Sequence, residues 1–219
     1  MVGDKIIKPQ NRMTHQVFYL DMRMSREVLA AEWDKKLFLT SLEEAGTLFR
    51  IEFYAFCVLD DRIRLLAGGT DVRRRTLMKM LSAALEHYER GMELNGEKGI
   101  LPSETVFRVK TVRMECEQDA VSVLRYIHLT PLSEGYTISA QDYWWTSYNS
   151  YRGFYRWPMV NTEPVMQFLS RSDARAAHTL AEYHSRGVLL RNPVPECIRN
   201  GEYETLRLCT LAVLQGNIN

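Results

Sequence analysis

Two-residue alternation and short aromatic or β-branched runs recur four times in the first half of the chain. Residues 15–24 set Val17, Tyr19 and Asp21 against Phe18, Leu20 and Met22, the period of a strand with two distinct faces. Phe49 to Leu59 is apolar and aromatic and suits a central strand. Asp60-Asp61 is a turn signal, and Arg62 to Ala67 reads as the returning strand, closed by Gly68-Gly69. Val106 to Met114 is a fourth strand. Between these runs the period lengthens. Ser25 can cap a helix, Leu29, Trp33, Leu37, Thr40 and Leu42 follow at helical spacing, and Gly46 offers a stop. Leu77, Leu81, Ala84 and Tyr88 make a second helical face. Asp119 to Leu129 is a third helix, ended near Thr130-Pro131 because a residue before proline avoids the helical region.

Strand, helix, strand, strand, helix, strand is the order of a split βαβ unit. The expected class is therefore α+β, a ferredoxin-like sandwich. Beyond Pro158 the pattern is mostly helical, near 163–170, 173–185 and 203–215. The chain thus divides into a flexible leader over 1–14, a ferredoxin-like domain over 15–160 and a helical C-terminal extension over 161–219.

Composition narrows the class without naming a chemistry. The 219 residues are long enough to bury a sizeable core, and 46% hydrophobic with 25% charged residues is ordinary for a globular chain. A formal net charge of +1 gives no global nucleic-acid signature, so any such surface is local. Two clusters could supply it: Arg73, Arg74 and Arg75 with Lys79, and the pair Arg62 and Arg64. A three-arginine run is otherwise a solvated helix start. Cys57, Cys116, Cys197 and Cys209 are scattered without metal-ligand spacing and read as small apolar fillers in a reducing compartment. With no signal-peptide pattern and no long apolar run, the expected location is the cytoplasm, away from membranes.

The candidate chemistry lies in the middle. Arg125 to Pro131 reads Arg-Tyr-Ile-His-Leu-Thr-Pro, and Asp142 to Tyr148 reads Asp-Tyr-Trp-Trp-Thr-Ser-Tyr. The first puts a phenol, Tyr126, on a short amphipathic helix, sharing a polar stripe with Asp119, Ser122 and Thr130 opposite Val123, Leu124 and Ile127. A lone helical tyrosine is usually a half-buried packing residue, and His128 reads as a satisfied structural histidine. From Tyr143 to Trp157 the chain is dense in rings, with Arg152 and Arg156 interleaved. Such a segment can stack unpaired bases or pack over a sheet.

These two segments resemble the REP-associated branch of the single-tyrosine HUH transposases, which writes them Tyr-Ile-His-Leu-Asn-Pro and Asp-Tyr-x-Trp-Ser-Ser-Tyr. Weaker matches extend the resemblance over roughly residues 15–187, among them the basic strand with Arg108 and Lys110. It implies a tyrosine nucleophile at Tyr126 that attacks a DNA phosphate and forms a 5′-phosphotyrosine link. It also implies a divalent ion held by two strand histidines flanking one hydrophobic residue, with a third polar ligand one turn past the tyrosine. The matching strand here is Leu59 to Leu66, about 60 residues before Tyr126, and both histidines are arginines, Arg62 and Arg64. The third position is Thr130. Guanidinium is a donor only and stays protonated, so it cannot ligate a cation. It suits a phosphate or a carboxylate.

The expectation is a transposase-like DNA-binding protein that recognises a hairpin or single-stranded DNA without metal-dependent cleavage, with no cofactor. Tyr126 is then a candidate nucleophile that has become vestigial. Phosphate contacts fall to Arg62, Arg64, Arg73, Arg74, Arg75, Lys79, Arg108, Lys110, Arg152 and Arg156. Two alternatives stand beside it. One is an active tyrosine transposase that uses Mg²⁺ or Mn²⁺, or whose arginines balance the transition-state charge. The other is a protein-interaction module built on the aromatic segment. Monomer and homodimer both remain open.

Overall fold

The computed structural model describes residues 16–25, 27–81, 106–185 and 192–207. The leader, Ala84, Tyr88, Cys209 and everything past residue 207 lie outside the described residues. Each of the four expected strands is present: β1 (Val17–Met24), β2 (Glu52–Val58), β3 (Arg62–Gly68) and β4 (Val106–Arg113). The helices are α1 (Glu32–Phe49), α2 (described over 71–81), α3 (Glu117–His128), the single turn α4 (Thr130–Ser133), α5 (Tyr148–Arg152), α6 (Glu163–Leu169), α7 (Asp173–Ser185) and α8 (Glu196–Arg199).

With β5 (Tyr203–Arg207), all pairings in the sheet are antiparallel, in the order β2-β3-β1-β4-β5. Its first four strands have the order of a split βαβ unit, and the class is α+β as expected. The fifth strand is a correction. Residues 203–215 carry a helical apolar spacing, yet Tyr203–Arg207 forms β5, pairing with β4 from Val106↔Arg207 to Lys110↔Tyr203. The extension is therefore not helical throughout. The pairing gives the exposed edge of β4 its backbone partners, which outweighs a weak helical periodicity.

α1 also departs from its pattern. It starts at Glu32 rather than after Ser25, because the Leu29 amide donates to the Asp60 carbonyl at 2.8 Å and fixes that stretch against the β2–β3 turn. The expected inward face holds only at Leu29 and Leu42. Trp33 and Leu37 are exposed, while Phe38, Leu39, Leu42 and Ala45 are buried. Gly46 does not stop the helix; Arg50 does, in left-handed conformation at φ 53°. Gly46 instead makes room. A Cβ there would sit 2.8 Å from Cε2 of Phe53.

That contact places α1 on the sheet face that carries Phe53, Leu65 and Ala67. This face, with Phe18, Leu20 and Met22 of β1, is fully buried. The opposite face carries Tyr19, Asp21 and Arg23 of β1 in register with Leu66, Arg64 and Arg62 of β3 and with Val112, Lys110 and Arg108 of β4. One face is thus apolar core. The other is charged, and α3 crosses it over β2 and β3.

Candidate functional site

α3 is amphipathic for a plain reason: Ala120, Val121, Val123, Leu124 and Ile127 are buried. Its last turn then sets Tyr126 above the charged face. The Arg64 guanidinium carbon lies 4.5 Å from the centroid of the Tyr126 ring, a cation–π contact in a desolvated setting. Arg64 Nη1 donates to Thr130 Oγ1 at 2.5 Å, and Thr130 in turn donates to the Tyr126 carbonyl at 2.9 Å. Arg62 Nη1 donates to Glu134 Oε1 at 2.6 Å. Glu134, at the end of α4, is thus one acid beside both arginines, 3.7 Å from Arg64 Nη2.

Asp21 is the hub beneath them. Its carboxylate accepts from the Tyr203 hydroxyl at 2.8 Å and lies 3.7 Å from Arg64 Nε, 3.9 Å from Arg62 Nε and 3.7 Å from Arg23 Nη2. Those three separations exceed hydrogen-bond length. Asp21 Oδ1 and the Nε atoms of Arg23, Arg62 and Arg64 are buried and have no hydrogen-bond partner among the described residues. The cluster is held by charge rather than by close pairing. Its cations, Arg23, Arg62, Arg64 and Lys110, outnumber Asp21 and Glu134, so the face favours anions.

Beside the cluster opens a cleft of about 470 Å³. Tyr19, Tyr126 and Tyr203 line it together with Arg23, Lys110 and Arg199. Lys110 Nζ donates to the Arg199 carbonyl at 3.2 Å, and Asn192 Nδ2 to the Tyr126 carbonyl at 2.8 Å, so the stretch after Asn192 is tied to both β4 and α3. Tyr126 is 8% exposed. Burial raises its phenol pKa, and Arg64 offsets this in part. At neutral pH the group is a phenol, not a phenolate. Arg64, 2% exposed, stays a cation: burial opposes its charge, but Tyr19 and Asp21 raise its basicity above the usual value.

A divalent ion does not fit these residues. Both guanidiniums offer donors only, and the Thr130 hydroxyl already accepts from Arg64 and donates to Tyr126. Asp21 and Glu134 each already face arginines.

The structure brings Tyr126, Arg62, Arg64, Arg108 and Lys110 onto one face. Arg108 and Lys110 flank the Tyr203 ring at 5.4 and 5.7 Å. Arg73, Arg74, Arg75 and Lys79 lie elsewhere, on α2, where Arg73 Nη1 donates to the Arg50 carbonyl at the end of α1 and Arg74 is 3.5 Å from Asp71. Arg152 and Arg156 are exposed beside the β2 edge. There the aromatic segment supplies the edge strand's missing partners. The Val58 amide donates to the Trp145 carbonyl, Ser147 to Phe56 and Asn161 to Phe53, at 2.8–3.1 Å. Tyr143 and Tyr151 hydroxyls donate to the Val58 and Tyr54 carbonyls.

His128 has the structural role expected of it. His184 Nδ1 faces the Leu180 carbonyl at 2.8 Å and must donate, so His184 Nε2 accepts from His128 Nδ1 at 3.0 Å. His128 Nε2 then accepts from Ser147 Oγ at 2.8 Å, which itself accepts from the Phe56 amide. Every proton in this buried chain is assigned by its ends.

Asp21, Arg23, Glu134, Arg199 and Tyr203 escaped the sequence reading. Asp21 left one trace, an acid at the centre of an otherwise apolar and aromatic strand. Tyr203 left none, because it reaches the site only through β5. Among the cysteines, Cys57 is buried and its thiol is pushed up to about 12 by that burial, whereas Cys116 is exposed and no filler.

No family profile and no curated protein matches the chain. It is similar to a solved structure of a REP-associated tyrosine transposase bound to a REP hairpin, at 13% identity and a TM-score of 0.46, covering 74% of this chain and 93% of that one. At that identity and score the likeness assigns no residue a role. No helix among the described residues is long and apolar enough to cross a membrane.

Proposed function

We propose that this chain is a transposase-like DNA-binding protein that recognises a hairpin or single strand and does not cleave it through a metal ion. The observation that carries the second half is the Arg64 guanidinium, hydrogen-bonded to Thr130 at 2.5 Å and seated 4.5 Å from the Tyr126 ring. A cation that is part of the protein stands where a nucleophilic phenol would need a metal-activated phosphate. The phenol beside it is raised in pKa and partly closed off. The first half is supported by the family resemblance of the Tyr126 and Trp145 segments and by the excess of cations around the cleft. Arriving phosphates meet Arg108 and Arg199, which are exposed, and the half-buried Arg23. Arg62 and Arg64 act from beneath, through their field.

The test is electrophoretic and salt-resolved. A hairpin with a single-stranded foot should bind at low salt and form no SDS-resistant adduct with Mg²⁺ or Mn²⁺ present. Arg23→Ala and Arg108→Ala should each flatten the log–log salt slope by roughly 0.7 to 0.9. Tyr126→Phe should leave affinity nearly unchanged. A covalent complex that disappears in Tyr126→Phe would overturn the non-cleaving reading. Absence of binding to any DNA at low salt would overturn the DNA reading itself.

A further inference from the structure

The β2 edge carries a second surface that the Tyr126 cleft does not explain. Trp144 is 47% exposed and Phe154 70%, large rings left in water beside the more covered Tyr155. They are not loose. The Trp144 and Tyr155 ring centroids are 4.4 Å apart, and each also meets Trp157, at 6.2 and 5.2 Å. Trp157 in turn touches the buried Phe56 ring at 5.4 Å, and its amide donates to Ser150 Oγ at 3.0 Å. Gly153, at φ 75°, turns the chain so that Phe154 projects past α5. Arg152 lies 5.7 Å from the Phe154 ring. Rings fixed to the core in this way lose little freedom on binding, which favours contact with flat partners.

The charge of the segment selects among such partners. Residues 143–160 hold two arginines, Arg152 and Arg156, both exposed, and no carboxylate. An exposed aromatic patch with only positive charge interleaved matches a polyanion carrying π faces, namely single-stranded nucleic acid. Base pairs in a duplex stack on each other and keep those faces hidden, whereas unpaired bases offer them. We propose that Trp144, Tyr155 and Phe154 form a stacking platform for unpaired bases, with Arg152 and Arg156 on the flanking phosphates. The platform lies on the edge of the sheet remote from β5 and the cleft, so it is a distinct site. For the kind of partner it rests on the DNA reading above.

Fluorescence anisotropy with a dye-labelled 12-nucleotide oligo(dT), and with an abasic oligonucleotide of equal length, tests the platform. Wild type should bind oligo(dT) with quenching of tryptophan emission and bind the abasic strand far more weakly. Trp144→Ala and Phe154→Ala alter exposed rings, and each should weaken oligo(dT) binding by about 5- to 100-fold. Arg152→Ala with Arg156→Ala should lower the salt slope by roughly 1.4. Equal affinity of wild type and both ring variants, or equal binding of the abasic strand, would overturn the platform and leave hairpin binding standing. So would hairpin binding without oligo(dT) binding. Failure of both DNAs, with a proline-rich peptide bound through Trp144 instead, would overturn platform and DNA reading together.

Discussion

Acid should unfold this protein through two histidines that take no part in the site. His184 and His128 are 2% and 0% exposed and are held neutral by the one-way chain of hydrogen bonds from Ser147 to the Leu180 carbonyl. Burial lowers the His184 pKa to about 4, and burial with the neighbouring His184 lowers that of His128 well below the ordinary value. An unfolded histidine titrates near 6.5. Between pH 6.5 and 4 the unfolded chain therefore binds protons that the folded protein refuses, and stability falls as pH falls. Above pH 6.5 neither state binds them and the effect vanishes. Each histidine costs about 2 kcal/mol between pH 7 and pH 5, and both together about 4 kcal/mol, a large share of a typical domain's stability. Urea unfolding at the two pH values measures this directly, with the m-value as a check that the same transition is seen. His184→Gln can present an amide oxygen to His128 Nδ1 and removes one titrating ring, so its pH-dependent loss should be about half that of wild type. Equal slopes for the two proteins, or a wild type as stable at pH 5 as at pH 7, would refute the neutral pair.

Three further outcomes follow from the same geometry. Arg64→Met should cost about 3–5 kcal/mol by leaving Asp21 and the Thr130 hydroxyl short of their buried partner, and Asp21→Asn added to it should recover much of the loss in urea unfolding. Gly46→Ala should lower Tm by the equivalent of about 1–3 kcal/mol, since the new Cβ would meet the Phe53 ring at 2.8 Å; a rise in Tm, as helix propensity alone gives, would refute the packing role. Arg62→His with Arg64→His puts two imidazoles on one face of β3 and frees Thr130, so Mn²⁺ binding absent from wild type should appear in calorimetry; a folded double variant that ignores Mn²⁺ would show that more than two ligands was lost.

The strands were legible because period-two runs, turn residues and burial agree there. β3 begins at Arg62 and ends one residue past Ala67, and the order of the first four strands follows from the order of elements. α1 was legible as a helix but not in its face. Trp33 and Leu37 look like core by type, yet the buried stripe includes Lys35, whose ammonium bonds Asp60 at 2.6 Å. A lysine satisfied by a turn 25 residues away leaves no mark in local periodicity. β5 was illegible for a related reason: five residues gain their strand from an edge supplied by β4. The candidate site divides in the same way. Tyr126, Arg62 and Arg64 stand out by motif, while Asp21, Glu134 and Tyr203 become visible only once three separate segments meet.

That meeting also explains why the arginines are tolerable. Two guanidiniums buried on one strand face would repel each other and leave donors unmet unless acceptors surrounded them. Asp21 stands across β1, Glu134 returns after α4, and Thr130 takes the donor that Arg64 aims at α3. The acceptors come from two places, β1 and the α4 turn, and together they surround both guanidiniums. The balance is incomplete in charge: Arg23 and Lys110 add to Arg62 and Arg64, and among the described residues of the cluster only Asp21 and Glu134 oppose them. A phosphate about 7 Å from the two uncompensated charges gains on the order of 1 kcal/mol in water, and more where the cleft excludes water. An attraction of that size holds no ligand alone. Repeated along a nucleic-acid backbone it does, and it weakens steeply with salt.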